Sequence, residues 1–145
     1  MVNERDPWDR RPRNKDGKVI VKKPQHVDDK VEVMRNELQD KRYPARIRGL
    51  DIFKEYLLQN KDVIINNDQL LHLYVDRIDD EVRTVSLHGM LMMREVMVHL
   101  GDHISNSQNV QNKLLFNLTK QESSSDDEIS DAADRSFDRA IRTLG

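Results

Sequence analysis

The stretch Val82-Arg83-Thr84-Val85-Ser86-Leu87-His88-Gly89-Met90-Leu91-Met92-Met93 decides the fold, because it has two counterparts elsewhere in the chain. Set Ala45, Val82 and Ile129 in register. Four residues on stand Gly49, Ser86 and Ala133, all small. Eight on stand Phe53, Met90 and Phe137, all large and apolar, and eleven on come Tyr56, Met93 and Ala140. Eleven residues before the register points lie Met34, Leu71 and Leu118. Apolar residues recurring every three or four positions mark one face of a helix. A small residue midway lets such a helix approach its neighbour closely, and the large one four places later fills the groove.

Working outward, six helices are expected. The first runs from about Asp29 to Gln39, with Val31, Met34 and Leu38 on one face. Pro44 sits in the first turn of the second, where its missing N–H costs nothing. Asp68 is placed to cap a third helix carrying Leu70, Leu71, Leu73, Tyr74 and Ile78. Asp79 or Asp80 caps a fourth, from Val82 to about Leu100, and Gly101 ends it. A fifth carries Val110, Leu114, Leu115 and Leu118; the chain restarts at Ser124–Glu128 into a sixth with Ile129, Phe137 and Ile141. The register points lie 37 and 47 residues apart, around the spacing of about 40–47 for a HEAT unit. The expected fold is all-α: a HEAT-like α-solenoid of about three helical hairpins over residues 28–145. No single hairpin buries its own apolar stripe, so stacking of about three is needed. Periodicity alone would also permit a generic helical bundle, the lesser alternative.

Residues 1–27 differ in composition. They hold Pro7, Pro12, Pro24 and Gly17, eight Lys or Arg against four Asp or Glu, and one short apolar run, Val19–Val21. Such a segment buries too little surface to offset the entropy of ordering, so a disordered basic arm is expected. Its net charge of +4 stands against −6 for residues 28–145. A basic arm is drawn to anionic partners, whereas an acidic body makes nucleic acid unlikely as the ligand of the folded part. Trp8 among arginines would be the stacking element if nucleic acid bound through the arm.

With 34 % charged and 37 % hydrophobic residues, and only 5 % aromatic, the composition suits helices in a row better than a thick sandwich. The chain has no Cys, so disulfides and thiolate metal sites are excluded. No apolar run approaches the roughly 18 residues of a spanning helix, and Met1–Asp6 lack a signal-peptide apolar region. The expected setting is the cytoplasm or nucleus, without membrane insertion. The terminal Arg142-Thr143-Leu144-Gly145 carries no evident polar cap, so the last hairpin is expected to invite self-association, further repeats, or a helix docked from a larger assembly.

The segment Asp40-Lys41-Arg42-Tyr43-Pro44-Ala45-Arg46-Ile47-Arg48-Gly49-Leu50 resembles the first intra-repeat loop of TOG domains. These are the tubulin-binding HEAT arrays of the microtubule polymerase, CLASP and crescerin families. In that loop an aromatic residue, usually Trp, is followed after two positions by an Arg or Lys that opens the second helix. Val85–Leu100 and the region Leu114–Ala140 are similar to later TOG repeats. The resemblance covers residues 28–145 and implies tubulin or microtubule binding through the intra-repeat loops. Tyr43 would take the place of the aromatic wedge, with Lys41, Arg42 and Arg46 beside it and Arg77 and Arg83 flanking the second loop. It also implies a cytoplasmic protein associated with the cytoskeleton or a cilium. The chain has three pairs where a full TOG domain has six, Tyr where Trp is usual, and an acidic third loop.

Chemistry-bearing patterns are few. Glu95, His99 and His103 recur at i, i+4 and i+8, a ligand-like spacing, but the expected stop at Gly101 separates His103 from the others. No His-Glu-x-x-His motif, Gly-rich phosphate loop or nucleophile elbow is present, so no enzyme and no cofactor are expected. Met90, Met92, Met93 and Met97 suit either a core or an adaptable groove. Ser123, Ser124 and Ser125 before Asp126-Asp127-Glu128 resemble an acidophilic phosphorylation site. Ser125 and Glu128 also stand at capping-box spacing.

Overall fold

The computed structural model describes residues 25–144, with side chains from Asp29 onward. The chain divides into two compact units, residues 1–30 and 31–145, and the packing below belongs to the second. The expected arm, with Trp8 and the Val19–Val21 run, lies outside the described residues up to position 24. Every regular element among the described residues is helical: α1 Gln25–Leu38, α2 Tyr43–Gln59, α3 Asp62–Ile65, α4 Asp68–Ile78, α5 Arg83–Leu91, α6 Met93–Ser105, α7 Gln108–Glu122 and α8 Asp127–Leu144. No helix is long and apolar enough to cross a membrane among those residues.

The helices divide into short-turn pairs. Residues 39–42, 79–82 and 123–126 join α1 to α2, α4 to α5, and α7 to α8, with four residues in each turn. Residues 60–67, which include α3, and residues 106–107 connect one pair to the next. Helix α2 packs on α4, α5 and α6; α4 packs on α7; and α5 and α6 pack on α8. Consecutive pairs therefore share a continuous core.

The register positions find their places in it. Met34, Leu71 and Leu118 are fully buried, as are Phe53, Ala133 and Ala140, with Met90 and Met93 nearly so. The small residues sit where a second helix meets the end of the first. A Cβ on Gly49 would lie 2.8 Å from the backbone nitrogen of Leu38, at the C-terminal end of α1. Ser86 occupies the matching place beside α4 and donates its hydroxyl to the Ile78 carbonyl at 2.5 Å. In the third pair Ser130 does the same for the Glu122 carbonyl at 2.8 Å. Each hydroxyl satisfies a carbonyl that the helix end leaves without an intrahelical donor.

Phe53 of α2 and Tyr74 of α4 stack at 4.9 Å between ring centroids and 12° between planes. Tyr74 is wholly buried, and its hydroxyl donates to the Gly89 carbonyl at 2.7 Å. Burial first, and the nearby Glu95 second, push its phenol well above the ordinary range. One side chain thus ties α2, α4 and α5 together.

The structure corrects four sequence expectations. Helix α1 starts at Gln25, four residues before Asp29, immediately after Pro24 in the sequence. Asp68 lies inside the first turn of α4 rather than capping it; Asn67 precedes the helix and turns its amide to the Val63 carbonyl. The expected fourth helix is two, interrupted at Met92 with no Pro at the break. Neighbouring hydroxyls bond the carbonyls there: Tyr74 donates to the Gly89 carbonyl, which also accepts the Met92 N–H in a tightened turn, and Ser136 of α8 donates to the Met90 carbonyl at 3.2 Å. Finally, Gly101 does not end a helix but lies within α6, where a Cβ would come 2.7 Å from Cγ2 of Thr143 in α8. It is a packing glycine. The methionines at 90, 92, 93 and 97 are all buried and belong to the core, with Met90 and Met93 also reaching the edge of a cavity beside α8.

The glycines make opposite demands. In Gly49→Ala the new methyl meets backbone, which cannot yield, so thermal unfolding should show the midpoint lowered, at a steric cost of about 1–3 kcal/mol. In Gly89→Ala the nearest atoms are 3.8 Å away. Relief of the glycine penalty, about 1 kcal/mol in a helix, should then hold or raise the midpoint.

Candidate functional site

The residues singled out by sequence converge on the three intra-pair turns. Each turn is organised by an aspartate. In the first, the Asp40 carboxylate accepts the Arg42 backbone N–H at 2.8 Å and the Arg42 guanidinium at 3.1 and 3.3 Å. In the second, Asp80 accepts the Val82 N–H at 2.9 Å. In the third, Asp126 accepts the N–H groups of Glu128 and Ile129 at 3.1 and 3.3 Å. These bonds satisfy donors at helix starts that have no intrahelical partner. Ser124 accepts the Asp126 N–H, so the cap of α8 is an Asp126 arrangement rather than the expected Ser125–Glu128 box.

Arginines then join the turns in series. Arg46, buried at the start of α2, donates Nη1 to the carbonyls of Asp40 and Lys41 at 2.9 and 3.0 Å. Its Nε and Nη2 reach both carboxylate oxygens of Asp80, at 2.8 and 3.0 Å. Arg77 adds a third bond to Asp80 at 3.0 Å. The Asp80 side chain is 2 % exposed and that of Arg46 7 %, so the pair is buried and bidentate. At the matching register position of the next pair, Arg83 grips Asp126 and Glu128 of the third turn. The first turn is thus bound to the second through Arg46, and the second to the third through Arg83.

Of the six residues expected to face a partner, three are engaged inside this chain of ion pairs: Arg46 and Arg77 at Asp80, and Arg83 at the acidic third turn. Lys41, Arg42 and Tyr43 stand outward at the first turn. Tyr43 is 48 % exposed, and Arg42 keeps three quarters of its side chain in solvent while paired to Asp40. That hydrogen-bonded guanidinium holds the Asp40 carboxyl down at about 2. Asp126 is also lowered, chiefly by Arg83.

In the third turn, Ser123 and Ser125 are exposed, while Ser124 is half-buried within the turn. With Gly101 helical, Glu95, His99 and His103 share one continuous helix, yet they do not converge. Glu95 faces Lys54 at 3.7 Å, and His103 faces Asp68 at 3.5 Å, which also lies 3.6 Å from His72. Among the described residues no group of three His, Asp or Glu side chains is arranged to hold a metal ion.

Sequence reasoning missed the acceptors. Asp80 carries the junction, and Asn117, buried on α7, donates to the Val75 carbonyl at 2.9 Å. Lys120 and Gln121 clasp Asp79 at 3.0 and 2.8 Å. A signal was present: Arg46 and Arg83 both stand one residue after a register point, and an acid lies just before the following register point in each case. Comparison with known proteins gives no match to a family model, a curated protein or a solved structure.

Two measurements check this site. Asp80→Asn leaves the buried Arg46 without its counter-charge and should destabilise the fold by about 3–5 kcal/mol in denaturant unfolding. Asp126→Asn, at a solvated pair, should cost far less. For Asp40, the folded carboxyl titrates below its unfolded value of about 3.9. Its stabilising contribution is therefore present above that value and lost as pH falls through about 2. Carboxyl NMR titration should place Asp40 near 2, and Arg42→Gln should return it toward the ordinary range.

Proposed function

We propose that residues 28–145 form a HEAT-like, TOG-like stack of three helical pairs that binds tubulin through its intra-pair turns, without catalytic activity. The observation that carries this reading is the series of turns joined by Arg46 and Arg83, with Lys41, Arg42 and Tyr43 outward at the first. Equal turns joined side by side make a continuous edge, the part of such an array that the TOG resemblance assigns to tubulin. Tyrosine and arginine are frequent energetic centres of protein interfaces. Tyr43 offers a half-exposed ring already at the surface, and the buried Arg46 fixes the turn that presents it. Arg83 offsets the acidity of the third turn, which would otherwise oppose an acidic partner. The setting that follows is cytoplasmic, at the cytoskeleton or a cilium.

The test is co-sedimentation and size-exclusion with tubulin, comparing the wild-type chain with Tyr43→Ala and with Lys41→Ala/Arg42→Ala. Both variants should lose about tenfold or more in affinity. Raising salt should weaken wild-type binding, because exposed charges are screened beyond about 10 Å at 0.1 M. Binding that is absent, or indifferent to both variants, overturns the reading.

A further inference from the structure

A cavity of about 150 Å³ lies between the α5–α6 junction and α8. Its lining is mixed: Met90, Met93, Ala132 and the hydroxyl-bearing Ser136 are buried against it, and Leu91, 67 % exposed, supplies most of its open apolar surface. Around it are Arg94 from the first turn of α6 and Arg135 and Arg139, one turn apart on α8. A second cavity of about 230 Å³ shares Arg135 and Arg139 and continues along α8 past Asp138, which Arg142 neutralises, to Arg142 and Thr143.

These arginines differ from those at the turns. Among the described residues no carboxylate lies within ion-pair distance of Arg94, Arg135 or Arg139. The acids nearest in sequence are accounted for or turned away. Glu95 faces Lys54, Asp138 is held by Arg142 at 2.9 Å, and Arg135 reaches only the Asp131 backbone carbonyl, at 3.4 Å. Three guanidiniums with no carboxylate partner among the described residues therefore gather on a body whose residues 28–145 carry a net −6. A cavity of this size takes a benzene-sized apolar group. Methionine walls adapt to the shape of what enters. No aromatic ring lines either cavity, so nothing is placed to stack a base.

We infer that this groove binds an acidic peptide segment of a partner protein, with one apolar side chain of the peptide seated over Met90 and Met93 and its carboxylates held by Arg94, Arg135 and Arg139. Arginine forks match carboxylate geometry, and the apolar seat sets the register of the charges along α8. The site uses none of the residues assigned to tubulin and does not depend on that reading.

The test uses the full 145-residue chain and a fluorescein-labelled twelve-residue peptide of repeating Glu-Glu-Leu, followed by anisotropy at 0.05 and 0.3 M salt. The peptide should bind, more weakly at high salt. Arg135→Glu/Arg139→Glu should weaken it about tenfold or more. Arg94→Gln, a milder exposed change, should weaken it by a smaller factor, and Leu91→Ser or replacement of peptide leucines by serine should also reduce affinity. Tyr43→Ala should leave it unchanged, separating this site from the tubulin edge. Circular dichroism melting verifies that each variant is folded. No binding, binding indifferent to the arginine variants, or full binding of the serine peptide overturns the inference. Tighter binding of a twelve-residue oligothymidylate than of the peptide also overturns it, assigning the groove to nucleic acid.

Discussion

Asp80 holds one carboxylate against two guanidiniums and a backbone N–H, almost wholly out of water, and the arrangement of the turns follows from that meeting. Arg46 alone would bring an uncompensated charge into the protein, and Asp80 alone would do the same with the opposite sign. Together they oblige the start of α2 to lie against the turn before α5, with Arg77 closing the remaining side. The apolar core permits many ways of laying α2 on its neighbours, since burial is non-directional. A bidentate pair permits few. The methionines and leucines give cohesion, and the ion pair gives position.

Much of this was legible in the sequence, and the rest was hidden for identifiable reasons. The helical pairs were readable because Gly49, Ser86 and Ala133 recur in phase with Phe53, Met90 and Phe137, and periodicity survives whatever the neighbours are. The break at Met92 was not, because no Pro marks it and the side chains that bond its carbonyls, Tyr74 and Ser136, stand far off in the chain. Gly101 carries the usual signature of a helix end, yet it lies buried inside α6 with α8 close against it. Local chemistry proposes an end to a helix; a neighbouring helix can leave it unused.

The basic residues show the same dependence on surroundings. Lys41, Arg42, Arg46, Arg77 and Arg83 are alike as letters, and their chemistry at an interface is the same. Their surroundings differ. Arg46 lies buried against a carboxylate thirty-four residues later, whereas Arg42 projects into water beside its own turn. Charge type was available from the sequence, but the identity of each counter-ion required the fold. The same distinction brings Arg94, Arg135 and Arg139 into view, since their interest rests on what is missing around them.

The unequal connections of the chain have a consequence for how such a protein can vary. The three turns bearing Asp40, Asp80 and Asp126 each span four residues, while the two links at the far ends of the helices span eight and two. A residue added to a turn would move an aspartate out of reach of its arginine. A residue added between Asn60 and Asn67, or beside Asn106, breaks no ion pair between turns. Those links answer to a different constraint, the buried Ile64 in one and the bonds of Asn106 and Ser107 to the end of α6 in the other, so an insertion there tests packing where an insertion in a turn tests charge register.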